Sequence, residues 1–338
     1  MSGSDATRIP TMVDVAKAAG VSRALVSIVM RGAPGASKQT RAHVLAAAAD
    51  LGYVPDARAQ ALRQRGKPSI GVIFQPSQPF QATVVDRIYA ATRDTSYSVV
   101  LSATTETHGQ SAALESLIGY RCGSLIALGT DLSAERLSPI AKRLPLVVVA
   151  WSLDAEGVEC VASDDSEGIA QAVRHLVSLG HGRIAYLESP SAGGNAERLH
   201  GYLTAMAEHG LADHIDVVTA GSREEGGALA ASALLERDEL PTGIIAFNDN
   251  CAAGVQDVFV RRGVRIPQDV SLIGFDDSEI AQISYRQLTT IRQDIDALAS
   301  VATKRAIDRM FGRSGEGRLQ VIPTTLTLRR TTASPRPA

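Results

Sequence analysis

The 338 residues carry 34 Lys and Arg against 36 Asp and Glu, a formal net charge of −2, with 45% hydrophobic and 21% charged residues. That balance is ordinary for a globular chain and excludes a disordered or fibrous polymer, and the length suits roughly two or three domains with sizeable cores. No apolar run approaches the ~20 residues that span a bilayer, the amino end lacks the apolar stretch of a signal peptide, and Cys122, Cys160 and Cys251 have no metal-ligand spacing, so a cytoplasmic protein with reduced thiols is expected.

The charge is unevenly placed. Residues 1–67 hold ten Lys and Arg against four Asp and Glu, a balance of +6, while the remainder carries −8. A basic head on an acidic body suits phosphate contact confined to the head. Within that head, Thr11 to Arg31 reads as two short helices. Thr11 is placed to cap the first, with Asp14 in its first turn; Val15, Ala16 and Ala19 form an apolar face; Gly20 stops it. Ser22 caps the second, on which Val26 and Val29 point inward and Arg23, Ala24, Ser27, Ile28 and Arg31 outward. This is the pattern of a helix-turn-helix, although a helical hairpin at a domain edge has the same spacing. Ser37 to Thr40 opens a third helix that runs to Leu51, with Gly52 as its stop. Asp56 is placed to cap a short helix, Ala57–Gln64.

From Ser69 the pattern changes to short apolar runs alternating with helices. Strands are expected at Ile70–Phe74, Ser98–Leu101, Leu125–Leu128 and Leu146–Ala150, with helices from 81 to 95, up to Tyr120, and from 134 to 143. After Ser163-Asp164-Asp165 the alternation restarts. Helices at 167–179, 197–209, 225–236 and 252–262 lead to strands at 183–187, 217–218, 243–247 and 270–275. Such alternation predicts two parallel sheets, each covered on both faces. The tail TTASPRPA reads as disordered and carries no leucine heptad.

The segments DVAKAAGVS, SKQTRAHVLAAAADLGYVPDARAQAL, GHGRIAYL, ERLHGY, AFNDN, IGFDD and LTTIRQD, in this order, resemble the LacI/GalR (lactose-repressor) family over about residues 11–330. The resemblance implies an N-terminal all-α helix-turn-helix DNA-binding domain (10–55) and a hinge helix and linker (56–67). A C-terminal α/β periplasmic-binding-protein type I fold of two doubly wound subdomains follows. One subdomain comprises 68–163 with 293–322, the other 164–292 with 323–331; residues 332–338 form the tail. Helix 296–311 is expected to return to the first subdomain. The tetramer-forming helix of one branch of the family is not expected.

The resemblance also assigns roles. Arg23, Ala24 and Ile28 take positions that read bases. An arginine at position 23 can pair bidentately with guanine. Ile28 departs from the arginine usual in the family, so the operator should differ too. Thr11, Ser22, Ser27, Ser37 and Thr40 are candidates for phosphate contact, although each also suits a helix cap or a core hydroxyl, and the outward-facing Arg31 is a further DNA-binding candidate. Leu62 matches the family's minor-groove wedge, with Ala59 one turn earlier, which implies a homodimer on a near-palindromic, double-stranded operator. In the body, Phe80, Trp151, Arg198, Asn248, Asp276 and Gln293 lie beyond strand ends, where open α/β sheets bind ligands. Asp249 reads as a helix cap. These residues suit a sugar or related metabolite, yet Gln78-Pro79-Phe80-Gln81 replaces the usual Asn-Pro-Phe-Phe and Ala150 replaces a polar residue.

The function expected is therefore a ligand-responsive transcriptional regulator, most simply a repressor, without cofactor, metal or membrane partner. Two rivals remain at this stage. The body alone would suit a solute-binding protein, though the basic head does not. An α/β enzyme would be expected to show G-x-G-x-x-G, a P-loop or G-x-S-x-G, and none occurs.

Overall fold

The computed structural model describes residues 10–30, 33–53, 68–129, 132–313 and 317–336. The chain divides into two compact units, Met1–Lys67 and Pro68–Ala338.

In the first unit, α1 (Met12–Ala18), α2 (Arg23–Met30) and α3 (Lys38–Asp50) enclose a small core that includes Val15, Val26, Val29, Val44 and Tyr53. Local chemistry sets each boundary. The Asp14 carboxylate accepts from the amide and the hydroxyl of Thr11 at 2.7 and 2.6 Å, which ties down the start of α1. Ser22 Oγ accepts from the Leu25 amide, and Ser37 Oγ from the Thr40 amide. Gly20 and Gly52, which follow α1 and α3, adopt the left-handed φ values +61° and +62°. The Arg41 guanidinium donates to the carbonyls of Val29 and Ala33, satisfying acceptors at the end of α2.

The second unit holds two six-stranded sheets. The first has the order β11-β5-β4-β3-β1-β2, built from β1 (Ser69–Phe74), β2 (Ser98–Ala103), β3 (Ser124–Leu128), β4 (Leu146–Val149), β5 (Val158–Ser163) and β11 (Leu319–Ile322), all parallel. The second has the order β12-β10-β9-β8-β6-β7, from β6 (Ile184–Glu188), β7 (Asp216–Thr219), β8 (Gly243–Ala246), β9 (Ser271–Asp276), β10 (Thr289–Gln293) and β12 (Thr324–Thr327). Only the β10–β12 pair is antiparallel. Helices α4 (Pro79–Thr92), α5 (Gln110–Gly119), α6 (Ala134–Ala141) and α12 (Ile295–Met310) sandwich the first sheet. Helices α7 (Asp165–Ser178), α8 (Asn195–Glu208), α9 (Glu224–Leu235) and α10 (Asp249–Arg261) sandwich the second, and α11 (Glu279–Gln282) is a single turn after β9. The chain passes between the sheets three times: from β5 to α7, from β10 to α12, and from β11 to β12.

Three expectations need correction. The sequence VECVAS showed no apolar strand, yet β5 is buried along its whole length. Its Glu159 is tolerated because Arg305 meets it at 2.9 Å, with Arg309 also near. Several helices start earlier than apolar periodicity suggested, because polar caps precede the first apolar residue; Asp164, for example, accepts from the Glu167 amide and opens α7 at Asp165. The tail expected to be disordered is held as far as Arg336. Thr331 is buried between Leu272 and Thr289, Thr332 bonds His175, Ala333 bonds His181 and Ser271, and Arg336 pairs with Asp269.

Helices α9 and α10 approach closely through glycine. A Cβ on Gly227 would lie 2.0 Å from the Cys251 carbonyl oxygen, and one on Gly254 would lie 2.0 Å from the Glu224 carbonyl oxygen. Backbone cannot yield as a side chain tip can. Gly254→Ala is therefore expected to destabilise the body by about 3 kcal/mol. Urea unfolding measures this directly; a midpoint shift equivalent to less than about 0.5 kcal/mol would refute the close approach.

Candidate functional site

A cleft of about 370 Å³ lies among the carboxyl ends of strands from both sheets. Phe80 and Trp151 line it from segments that follow β1 and β4. Arg198, Asn248, Asp276 and Gln293 line it from the second sheet's side. All six body residues named from the sequence thus share one cavity.

Arg198 is the most constrained. It is 6% exposed, and its Nε donates to Asp165 at 2.8 Å while Nη1 donates to the Phe247 carbonyl at 2.7 Å. Its guanidinium lies over the Phe275 ring at 3.6 Å and the Phe247 ring at 4.6 Å. Aromatic faces and a buried carboxylate together hold a charge that the interior would otherwise exclude. Burial raises the Asp165 carboxyl pKa, and the Arg198 guanidinium opposes that rise. Gly194, at φ +79°, lets the chain pass this pair; a Cβ there would stand 2.8 Å from Asp165.

Asp276 ends β9 at φ +113°, an unusual angle for a residue with a side chain, and so carries backbone strain at the cleft. Gln293 Nε2 donates to its carboxylate at 2.7 Å, and Ser163 Oγ donates to Gln293 Oε1 at 2.5 Å. Ser163 ends a strand of the first sheet and Gln293 one of the second, so this chain of bonds ties the sheets together beside two crossovers. Burial pushes the Asp276 pKa up to about 6, against the opposing pull of Arg198.

Asn248, not Asp249, caps α10: its Oδ1 accepts from the Cys251 amide at 2.9 Å and its Nδ2 donates to the Ser222 carbonyl. That corrects the roles read for the pair and leaves Asn248 with less capacity for a ligand. Asp249 is 1% exposed and accepts from Thr290 and from the amide and hydroxyl of Ser278, linking the helix to β10 and to the loop after β9. Burial, then the nearby Asp276 charge, pushes its pKa up to about 8. The Trp151 indole packs on loop backbone across the cleft, since a Cβ on Gly193 would lie 3.1 Å from it.

Sequence reading missed Ser163, Asp165, Gln110 and Arg223. Gln110 and Arg223 line the cleft, and Ser163 and Asp165 hold residues that do. Each follows or ends a strand, the signal already used for Arg198 and Asn248. Among the described residues no group of three or more His, Cys, Asp or Glu is placed to hold a metal ion, and no helix is long and apolar enough to cross a membrane.

In the head, Ser22, Arg23 and Ala24 are exposed at the start of α2, while Ser27 and Ile28 are half-buried. Ile28 stands beside Gly35, 3.7 Å from where a Cβ on that glycine would be. Ser37 and Thr40 bond each other at 2.8 Å and open α3; Thr11 precedes α1. The side chains of Ser22 and Ser37 cap, and both residues still face outward. Arg31, Ala59 and Leu62 lie outside the described residues.

Residues 11–56 match the model of the bacterial regulatory proteins of the lacI family, and residues 173–332 match that of a periplasmic-binding-protein-like domain. The HTH-type transcriptional regulator GalR of Escherichia coli is 34% identical over 330 residues, covering 96% of each chain. The chain belongs to the LacI family. Among solved members, a LacI transcriptional regulator from a Rhodococcus species is 40% identical and superposes with a TM-score of 0.76, covering 79% of this chain and 98% of that one. The lac repressor dimer bound to operator and the anti-inducer ONPF is 26% identical with a TM-score of 0.77, covering 96% and 100%. The protein is thus a DNA-binding transcriptional regulator with a periplasmic-binding-protein-like body, and its relatives are regulators rather than enzymes.

Proposed function

We propose that this protein represses transcription in the cytoplasm as a homodimer on a near-palindromic operator, and that a sugar or related metabolite in the cleft resets its DNA affinity. The observation that carries this reading is the cleft. Six residues taken from separate segments converge on it, at the strand ends where such sheets take ligands. The strained Asp276 and its bond through Gln293 to Ser163 make the cleft floor sensitive to what occupies it. A ligand that prefers one arrangement of the two sheets would shift the population; one that binds both equally would shift nothing. No metal or cofactor is required.

In the head, Arg23 reads bases from the exposed start of α2, with Ala24 and Ile28 offering apolar contact to thymine methyl groups. Ser22, Ser27, Ser37, Thr40 and Thr11 meet phosphates, joined by Arg31. Leu62, with Ala59, is the wedge between base steps that bends the operator. Arg23→Ala is expected to cost about 1–3 kcal/mol on the selected operator and far less on random DNA, by fluorescence anisotropy. Equal losses on both would reduce Arg23 to a phosphate contact.

A further inference from the structure

We propose that the effector is a hydroxyl-rich monoanion, a sugar acid whose carboxylate is held by Arg223 and Arg198 and whose hydroxyls meet Asp276 and the glutamine amides opposite. This rests on the reading of the cleft as an effector site and names the chemistry that site takes.

Two guanidinium groups, Arg198 and Arg223, and one carboxylate, Asp276, line the cleft, and Arg198 is also paired with the buried Asp165 behind it. Arg223 directly precedes α9, and its guanidinium has no hydrogen bond or ion pair among the described residues. Arg198 is more than nine-tenths buried and spends Nε and Nη1 on Asp165 and Phe247. Neither of those bonds uses Nη2. A carboxylate is the acceptor that fits a guanidinium in plane. Backbone adds to the same field. The residues before α4 and α9, Gln78 and Arg223, both line the cleft, and neither side chain caps its helix.

The charge count favours a carboxylate over a phosphate ester. No lysine lines the cleft, and Asp276 would repel a second negative charge. The remaining groups favour hydroxyls. Asp276 accepts from them, and the Gln78 and Gln110 amides both donate and accept.

Calorimetry on the full-length protein tests this with D-glucuronate, D-galacturonate and D-gluconate, against D-glucose and D-galactose, with D-glucose 6-phosphate as the phosphate arm. At least one acid should bind roughly 10-fold to 100-fold tighter than its neutral counterpart. Arg223→Gln should erase that advantage, and Arg223→Lys should restore part of it. Neutral sugars binding as tightly as the acids, an advantage that survives Arg223→Gln, a phosphate ester that outbinds every acid, or no binding of any acid would each overturn the proposal. A neutral sugar that binds and changes DNA affinity would do so while leaving the effector reading intact. A sugar acid that binds as expected but leaves DNA affinity unchanged would support the anion site and overturn the effector reading alone.

Discussion

Arg198→Ala is expected to destabilise the body by about 3–5 kcal/mol at neutral pH, because it leaves Asp165 buried without its partner. Asp165 is 5% exposed and the lost bond is 2.8 Å, so water does not replace the guanidinium cheaply. The pH dependence has a definite sign. Burial already raises the Asp165 pKa in the folded state, and removing Arg198 removes the opposing influence. A carboxyl whose folded pKa lies above its unfolded value gives stability at low pH that is lost as pH rises from the unfolded pKa through the folded one. The variant should therefore recover part of its loss toward pH 4 and be worst above neutrality. Adding Asp165→Asn should restore part of the stability at pH 8 without restoring ligand binding. Urea midpoints at pH 5 and pH 8 measure both effects. A loss below about 1 kcal/mol at both pH values would mean that the pair contributes little beyond its contacts.

Operator affinity is expected to fall about 10³-fold between 50 and 200 mM salt, as for about 6–10 phosphate contacts shared by two heads. The motivation is the +6 balance of residues 1–67 beside the −8 of the remainder. The acidic body adds no attraction to DNA, so the salt slope belongs to the head. Replacing Arg31 and Lys38 by glutamine in the full chain should flatten that slope by about one counterion per residue in each head. Anisotropy titrations across four salt concentrations give the slope directly. An affinity that changes less than tenfold over this range would point to recognition without the basic head.

The parts legible in the sequence were those set by neighbours in the chain. Gly20, Ser22 and the Val26–Val29 spacing mark the helix-turn-helix because turns, caps and helix faces are decided within a few residues. The alternation of strand and helix gave the body for the same reason. Strand β5 was hidden because Glu159 breaks its apolar run, and the Arg305 that makes the glutamate tolerable comes from a distant helix. The tail was hidden because TTASPRPA has no apolar pattern; it is held by hydrogen bonds to His175, His181 and Ser271 that only the fold assembles. Arg198 was visible as a strand-end residue. What locks it, Asp165 and the Phe247 and Phe275 rings, comes from three other segments. The roles of Asn248 and Asp249 were exchanged because adjacent polar residues at a helix start are equally good caps until strand β10 and the loop after β9 claim one of them.

One free energy couples cleft and head in the proposed mechanism, and coupling of this kind is reciprocal. With an operator selected from random DNA and a ligand found by thermal shift, the decisive measurement is the ligand's affinity for the free protein and for the operator-bound protein, by calorimetry. The two should differ by about 5-fold to 150-fold, and saturating ligand should change operator affinity by the same factor. Equal ligand affinities in the two states would contradict the account, whatever the cleft binds.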